Sequence, residues 1–206
     1  LEASDIKYAE QLGYRIKLLG IAKRRDNGVE LRVHPTLIPA KRLLANVEGA
    51  MNAVMVKGDA VGITLYYGKG AGAEPTASAV VADLVDVARL ATADPEHRVP
   101  HLAFQPDAMS NLPILPMSEV ETGYYLRLRV EDKPGVLADI TRILADQGIS
   151  IDAMLQREPE EGEGETDIII LTHVCQESAA DAAIAKIEAL PAQKGKVKRI
   201  RLEELQ

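Results

Sequence analysis

The sequence predicts an α+β fold made of two parts: a partial domain with a mixed or antiparallel sheet and helices, followed by a βαββαβ unit. Apolar residues recur at the two-residue period of strands in some stretches and at the 3.6-residue period of helices in others. Five of the 11 prolines fall between residues 93 and 122, as in a connection between domains. The formal charge also changes there, from +1 over residues 1–95 to −8 over 96–206. We therefore predict domains over 1–95 and 122–206, joined by a linker over 96–121.

Composition excludes several functional classes. A chain that is 47% hydrophobic and 27% charged is typical of a globular protein. It has no apolar run near the roughly 18 residues that a membrane span needs, so we predict no membrane association and a cytoplasmic location. With a formal charge of −7, one Phe and no Trp, it lacks the basic surface and stacking residues of nucleic-acid binders, and no nucleic-acid partner is predicted. The single cysteine, Cys175, is expected in a buried strand.

The chain opens with a predicted short helix. Ser4 and Asp5 offer an N-cap, apolar residues follow at helical spacing, and Gly13 supplies a stop. The first residue is Leu1 rather than Met, and this helix has no preceding partner. We therefore expect the sequence to be a piece of a longer protein.

Two hairpins are predicted next, and together they should form one sheet of about four strands. The turn at 26–28 is typical of a hairpin, while Pro35 and Pro39 are expected to interrupt pairing before a short helical piece over 41–45. The predicted strands cover residues 14–23, 29–34, 53–56 and 61–67.

A glycine-rich loop then leads into a helix predicted to open at Pro75 or Thr76. Alternate glycines at Gly68, Gly70 and Gly72 let another group approach the backbone, and helix N-terminal amides carry a partial positive charge. The spacing matches neither the dinucleotide fingerprint nor the P-loop. On the residues alone a tight structural turn is favoured, and contact with an anion or cofactor is the alternative.

Beyond the linker the order of elements is βαββαβ. This order places both helices on one face of a four-stranded antiparallel sheet, the ferredoxin-like arrangement. The acidic segment over 157–166 is predicted to be a solvated hairpin loop. Alternation over 124–131 predicts a strand with one buried face. The further predicted elements are a helix from Val136 to before Gly148, strands over 150–156 and 166–174, a helix over 179–190 and a strand over 197–202.

The loop between the first strand and first helix of this unit is a second candidate site. Gly135 permits close approach, amides at the start of the Val136 helix can take a carboxylate, and Asp132 is placed for an ammonium group. The alternative is a helix-capping turn, with Asp132 as acceptor and Pro134 in the first turn. The residues alone favour neither interpretation. Since the four histidines show no metal-ligand spacing, no metal site is predicted.

Two sets of motifs resemble one known family. The run over 70–80, preceded by residues 18–22 and 52–54, is similar to the C-terminal half of the catalytic region of homoserine dehydrogenase. The run over 130–137, with 148–151 after the helix, is similar to the ACT domain, a regulatory module that binds small amino acids between paired copies. Some homoserine dehydrogenases carry an ACT domain at this place, so the two resemblances agree.

The resemblance implies an oxidoreductase that interconverts aspartate 4-semialdehyde and homoserine with NADP or NAD, in threonine and methionine biosynthesis. It implies that Gly72, with Gly70 as a weaker neighbour, contacts the cofactor near the nicotinamide. No catalytic residue of the family falls within this chain, so the chain alone is expected to be inactive. A homo-oligomer and an amino-acid effector, threonine, are also implied; the alternative is a non-catalytic amino-acid-sensing or dimerisation module. The implied effector-binding residues are Asp132, Pro134, Gly135, Val136 and Leu137.

Overall fold

The protein folds into two compact units in a computed structural model. One unit comprises residues 1–45 and 113–206, and the other comprises 46–112. The structure describes residues 1–93, 104, 106–157 and 164–205.

The elements follow one another in a mixed α and β order. In chain order they are α1 (Ala3–Gln11), β1 (Tyr14–Arg25), β2 (Gly28–Pro39), β3 (Met51–Gly58), β4 (Gly62–Lys69), α2 (Ala73–Thr92), β5 (Glu121–Thr122), β6 (Tyr124–Glu131), α3 (Val136–Asp146), β7 (Ile151–Gln156), β8 (Glu165–Thr172), β9 (Cys175–Gln176), α4 (Glu177–Glu188) and β10 (Lys198–Leu202). Short 3-10 turns lie at Leu43–Asn46, Pro106–Ala108 and Met117–Glu119.

The first unit is built on a six-stranded sheet with the order β1-β2-β10-β6-β8-β7. Its last four strands, β10, β6, β8 and β7, are antiparallel to one another, and α3 and α4 pack against one face of them. This confirms the predicted α+β class and the βαββαβ arrangement. The core on that face is apolar, as the periodicity of β6, α3 and α4 requires. Its fully buried members include Tyr124, Leu128, Ile140, Leu144, Ile170, Ala183 and Ile187.

The N-terminal elements complete this sheet on its other face and at one edge. Strand β2 pairs in parallel with β10, at Thr36 and Leu37. Tyr8 and Ala9 of helix α1 pack against the face of the sheet opposite α3 and α4. They belong to a second core that includes the fully buried Tyr125. Strand β6 is therefore buried on both sides along most of its length. The sequence indicated one buried face for this strand, and that expectation is wrong because α1 covers the second face.

The predicted single sheet over residues 14–67 is also wrong. Strands β1 and β2 belong to the six-stranded sheet, whereas β3 and β4 form a separate two-stranded sheet in the second unit. Pairing of β1 with β2 continues through Pro35, opposite Leu18, to Pro39, opposite Tyr14. A proline is tolerated in a strand where its missing N–H is not needed as a donor.

Several smaller expectations have mixed outcomes. The N-cap of α1 is Glu2, and Asp5 instead accepts a hydrogen bond of 2.8 Å from the Glu2 backbone N–H. Cys175 lies in a strand but is only partly buried. Part of the predicted linker packs against β2, because the Val29 N–H donates to the Pro113 carbonyl at 2.8 Å. The domain limits at 95 and 122 stay a prediction, since the compact units divide elsewhere.

Some predictions fall outside the residues that the structure describes. They concern most of the acidic loop, residues 94–103 of the linker region, and two histidines, His97 and His101. Among the described helices, none is long and apolar enough to cross a membrane. The 20-residue α2 has no buried residue.

Candidate cofactor and effector sites

The glycine loop of the second unit presents an exposed helix N-terminus. Gly72 is the N-cap of α2 with φ +125°, a conformation that side chains rarely adopt, and no side chain caps the helix. The helix begins at Ala73, so the predicted start at Pro75 or Thr76 is wrong by two or three residues. The residues from Gly68 to Glu74 are exposed, and amides of the first helical turn lack a carbonyl within their own helix.

Gly70 is glycine for a different reason. A Cβ atom at this position would lie 2.9 Å from the side-chain nitrogen of Asn52, on the neighbouring strand β3. At Gly72 the nearest atom, Cδ of Pro75, would be 3.4 Å away, an ordinary contact. The loop therefore combines a close intramolecular approach at Gly70 with an open helix terminus at Gly72, and both interpretations of the sequence have a physical basis here.

The second candidate site is the turn between β6 and α3. Gly135 is the N-cap of α3 with φ +94°, and a Cβ atom there would meet no atom within 4 Å. Asp132, Lys133 and Pro134 are exposed, and the Asp132 backbone N–H donates to the Gly164 carbonyl at 3.0 Å. No side chain caps α3, so Asp132 does not act as the helix cap that the alternative interpretation required.

The remaining two predicted effector residues face the interior. Val136 is a buried member of the α3–α4 core, and Leu137 packs against that core from its edge. Any contribution of these residues to binding therefore falls to their backbone amides, which lie in the first turn of α3. The structure thus brings all five predicted residues into one turn, with open space above Gly135.

A charged cleft beside this turn was not found by sequence reasoning. It has a volume of about 470 Å³, and three of its side chains are cationic against two carboxylates. Glu131 lies 2.7 Å from Lys133 and 2.6 Å from Lys194, and these hydrogen bonds lower the pKa of Glu131 to about 2. The described lining charges pair with one another, and Arg129 also lies 3.5 Å from an Asp167 oxygen. The cleft is lined by Arg129, Glu131, Lys133, Gly164, Glu165 and Lys194.

The structure describes two of the four histidines, His34 and His173, and they lie apart from both candidate sites. His34 is half-buried; burial, with the nearby Arg201 and Arg32 charges, lowers its pKa. His173 is exposed, 3.9 Å from an Asp152 oxygen. In the part of the chain that the structure describes, no three His, Cys, Asp or Glu side chains gather as a group able to hold a metal ion.

Comparison with known proteins divides the chain in two. Residues 1–85 match the family model described as homoserine dehydrogenase, and residues 124–192 match the model of the ACT domain. The chain is 60% identical over 205 residues to a homoserine dehydrogenase of Pseudomonas aeruginosa, and 55% identical over 205 residues to one of Neisseria gonorrhoeae. Both alignments cover 100% of this chain and 47% of the relative. The chain thus spans about half the length of the curated relatives it matches.

Solved structures agree with these matches. The crystal structure of a homoserine dehydrogenase from Thiobacillus denitrificans superposes with a TM-score of 0.92 at 71% identity, covering 100% of this chain and 46% of the other. The S. aureus homoserine dehydrogenase at pH 7.0 superposes with a TM-score of 0.61 at 31% identity, covering 97% and 44%.

Proposed function

The chain belongs to the homoserine dehydrogenase family, and on that premise we propose that it forms part of an enzyme that interconverts aspartate 4-semialdehyde and L-homoserine. The observation that carries this proposal is that the whole chain aligns with homoserine dehydrogenases, with 60% identity to the Pseudomonas relative. Such an enzyme serves threonine and methionine biosynthesis. The rival proposal is a non-catalytic amino-acid-sensing or dimerisation module, favoured by the ACT domain alone.

Gly72 and Gly70 are the proposed contacts to the nicotinamide cofactor, NADP or NAD, which supplies hydride chemistry when bound. The absence of a side chain at Gly72 and the exposed first turn of α2 suit close approach of a polar ring substituent or phosphate. Gly70 is the weaker of the two proposed contacts, because the Asn52 side-chain nitrogen would lie 2.9 Å from a Cβ atom at this position and so occupies the space beside it. The catalytic groups are proposed to lie in a part of the enzyme outside this sequence.

The catalytic proposal is tested with a hybrid that joins the chain to the upstream region of the Pseudomonas enzyme. We expect turnover of aspartate 4-semialdehyde by the hybrid with NADPH or NADH, and none by the chain alone. Gly72→Val should raise the KM for the cofactor. Gly62→Val is the matched control, because Gly62 also has a positive φ (+75°) and open space but begins β4, at the other end of that strand from the glycine loop. A folded hybrid without turnover would favour the non-catalytic module.

The turn from Asp132 to Leu137 is proposed to bind an amino-acid effector, threonine. First-turn amides of α3 suit its carboxylate, and the exposed Asp132 carboxylate suits its ammonium group. A ligand alters activity only by binding two arrangements of the protein with different affinity. Since paired ACT domains complete such sites, we further propose that the protein is a homo-oligomer.

Calorimetric titration of the chain with threonine tests the effector site. Gly135→Val fills the open space above the turn and should weaken binding by at least about tenfold, or about 1.4 kcal/mol. Gly148→Val is the control: Gly148 follows the other end of α3, has φ +70° and also has nothing within 4 Å of a Cβ position. Both variants place Val at a positive φ, so a difference between their threonine affinities would indicate that threonine binds at the Asp132–Leu137 turn. Equal threonine affinity in two folded variants would refute this assignment.

A further inference from the structure

The boundary between the two matched families runs through the six-stranded sheet. The hairpin β1–β2 belongs to the segment that matches homoserine dehydrogenase, while β6, β7, β8 and most of the packing around them belong to the ACT match. Strand β10, which follows the ACT match in the sequence, pairs with β6 on one side and in parallel with β2 on the other, through Thr36 opposite Arg201 and Leu37 opposite Leu202. This β2–β10 junction is therefore one of two places, with the packing of α1 against β6, where the ACT sheet is joined to the segment that matches homoserine dehydrogenase.

Buried charges reinforce the junction at the end of β10. Glu203 is 8% exposed; its carboxylate accepts hydrogen bonds from Arg32 at 2.9 Å and from Lys23 at 2.6 Å. Its backbone N–H donates to the Leu37 carbonyl at 2.9 Å. Arg32 also lies 2.7 Å from Glu30, which is 1% exposed. One residue thus connects the end of the ACT-like sheet to both strands of the hairpin.

The junction is also connected to the effector turn by a rigid path. Strand β6 begins opposite Arg201 and ends immediately before the turn that starts at Asp132. It is hydrogen-bonded to β10 on one side and β8 on the other. Glu177, the first residue of α4, accepts a hydrogen bond of 2.8 Å from the hydroxyl of Tyr124, the first residue of β6. The Glu177 carboxylate also pairs with Arg201 of β10.

We propose that Glu203 is a positioning residue that transmits the state of the effector turn to the hairpin β1–β2. This inference rests on the proposed effector function. Separating the charges of a buried ion pair is costly, because it leaves an uncompensated charge inside the protein. Packed elements held by such contacts shift as units rather than deforming gradually. Because Glu203 holds the hairpin by side chain and main chain together, a shift of β10 carries β1 and β2 with it.

Hydrogen exchange of the intact chain, followed by mass spectrometry, tests the proposal with threonine as the probe. In the unmodified protein threonine should slow exchange in α3 and also in β1–β2 by about tenfold, a usual scale of coupling between sites. In Glu203→Gln the slowing in α3 and the threonine affinity should remain, while the response of β1–β2 disappears. Glu203→Asp, which keeps the charge, should restore part of it. A role confined to stability would alter exchange in β1–β2 without removing its response to threonine.

The control is Glu188→Gln, which removes a carboxylate 2.6 Å from Lys196 in the same unit but away from β2. It should leave both responses intact. If Glu203→Gln does not fold, Lys23→Gln removes the more exposed partner, whose side chain is 34% exposed, and should weaken the response of β1–β2. If threonine still slows exchange in β1–β2 to the same extent in whichever of these two variants folds, Glu203→Gln or Lys23→Gln, the proposal is overturned.

A second arm without ligand separates this inference from the effector function. Gly135→Val strains the effector turn, and it should speed exchange in β1–β2 when Glu203 is present but not in the Glu203→Gln background. If the protein does not bind threonine, the effector proposal fails, and this arm alone decides the role of Glu203. Equal acceleration of β1–β2 in both backgrounds would overturn that role.

Discussion

Helix α1 is anchored to the sheet by one buried carboxylate, and its removal should destabilise the whole six-stranded unit. Asp5 is 1% exposed and accepts hydrogen bonds from the Arg127 Nε at 2.6 Å, the Tyr125 hydroxyl at 3.1 Å and the Glu2 backbone N–H at 2.8 Å. Asp5→Ala leaves the guanidinium of Arg127, whose side chain is 10% exposed, with fewer partners. Breaking a buried ion pair from one side costs about 3–5 kcal/mol.

The expected loss lies at the lower end of that range. Glu2 remains 2.7 Å from Arg127, and its half-exposed carboxylate offsets part of the lost interaction. We therefore expect Asp5→Ala to lower the free energy of unfolding by about 3 kcal/mol, a large share of the roughly 5–15 kcal/mol of a typical domain.

Urea denaturation followed by tyrosine fluorescence measures this loss, because the chain has no Trp and Tyr125 lies at the site. Asp86→Ala is the control: its ion pair with Arg89 spans 3.5 Å and both side chains are more than two-thirds exposed. The control should change the free energy of unfolding by less than about 0.5 kcal/mol. If Asp5→Ala costs no more than this control, the carboxylate does not anchor α1 and the reasoning fails.

Two further predictions concern pH and assembly. Burial opposes ionisation of Asp5 and Glu177, but hydrogen bonds and charge from Arg127 and Arg201 outweigh it and lower their pKa below the ordinary 3.8 and 4.5. The stability that these two ionised carboxylates contribute is therefore complete above their ordinary pKa values and is lost as the pH falls through the lowered pKa values. We expect the urea concentration at the unfolding midpoint to be constant from about pH 7 to about pH 4.5 and to decrease at lower pH. The decrease should be smaller in Asp5→Ala. The protein should sediment as a dimer or larger oligomer at micromolar concentration, since β1 is an edge strand and the hairpin exposes apolar side chains such as Val33 (73% exposed). Val33→Lys should weaken this association more than Val174→Lys, a 67% exposed control outside the hairpin, and a monomeric unmodified protein would contradict the prediction.

Local sequence determined the helices, most strands and the two glycine turns of this protein. Alternation in β6 and the 3.6-residue period of α3 are properties of contiguous residues, so they are readable without a partner. Gly135 and Gly72 stand where the backbone takes a positive φ at a helix start, and glycine is the residue that adopts it at least cost. The family resemblance also depended on such contiguous runs, and the comparisons confirm it.

Tertiary structure alone decided how the segments join. The alternation of residues in β6 does not reveal that α1 covers its second face, because that contact depends on a helix more than 100 residues earlier in the chain packing against the sheet. The parallel contact of β2 with β10 and the pair of Arg32 with Glu203, 171 residues apart, likewise have no local signal. Lys194, which precedes β10, lies 2.6 Å from Glu131 at the end of β6, 63 residues away in the sequence. Local propensity acts over a few residues, whereas burial and charge pairing depend on which distant segments pack together. The junction between the segment that matches homoserine dehydrogenase and the sheet of the ACT match is therefore visible only in the folded protein.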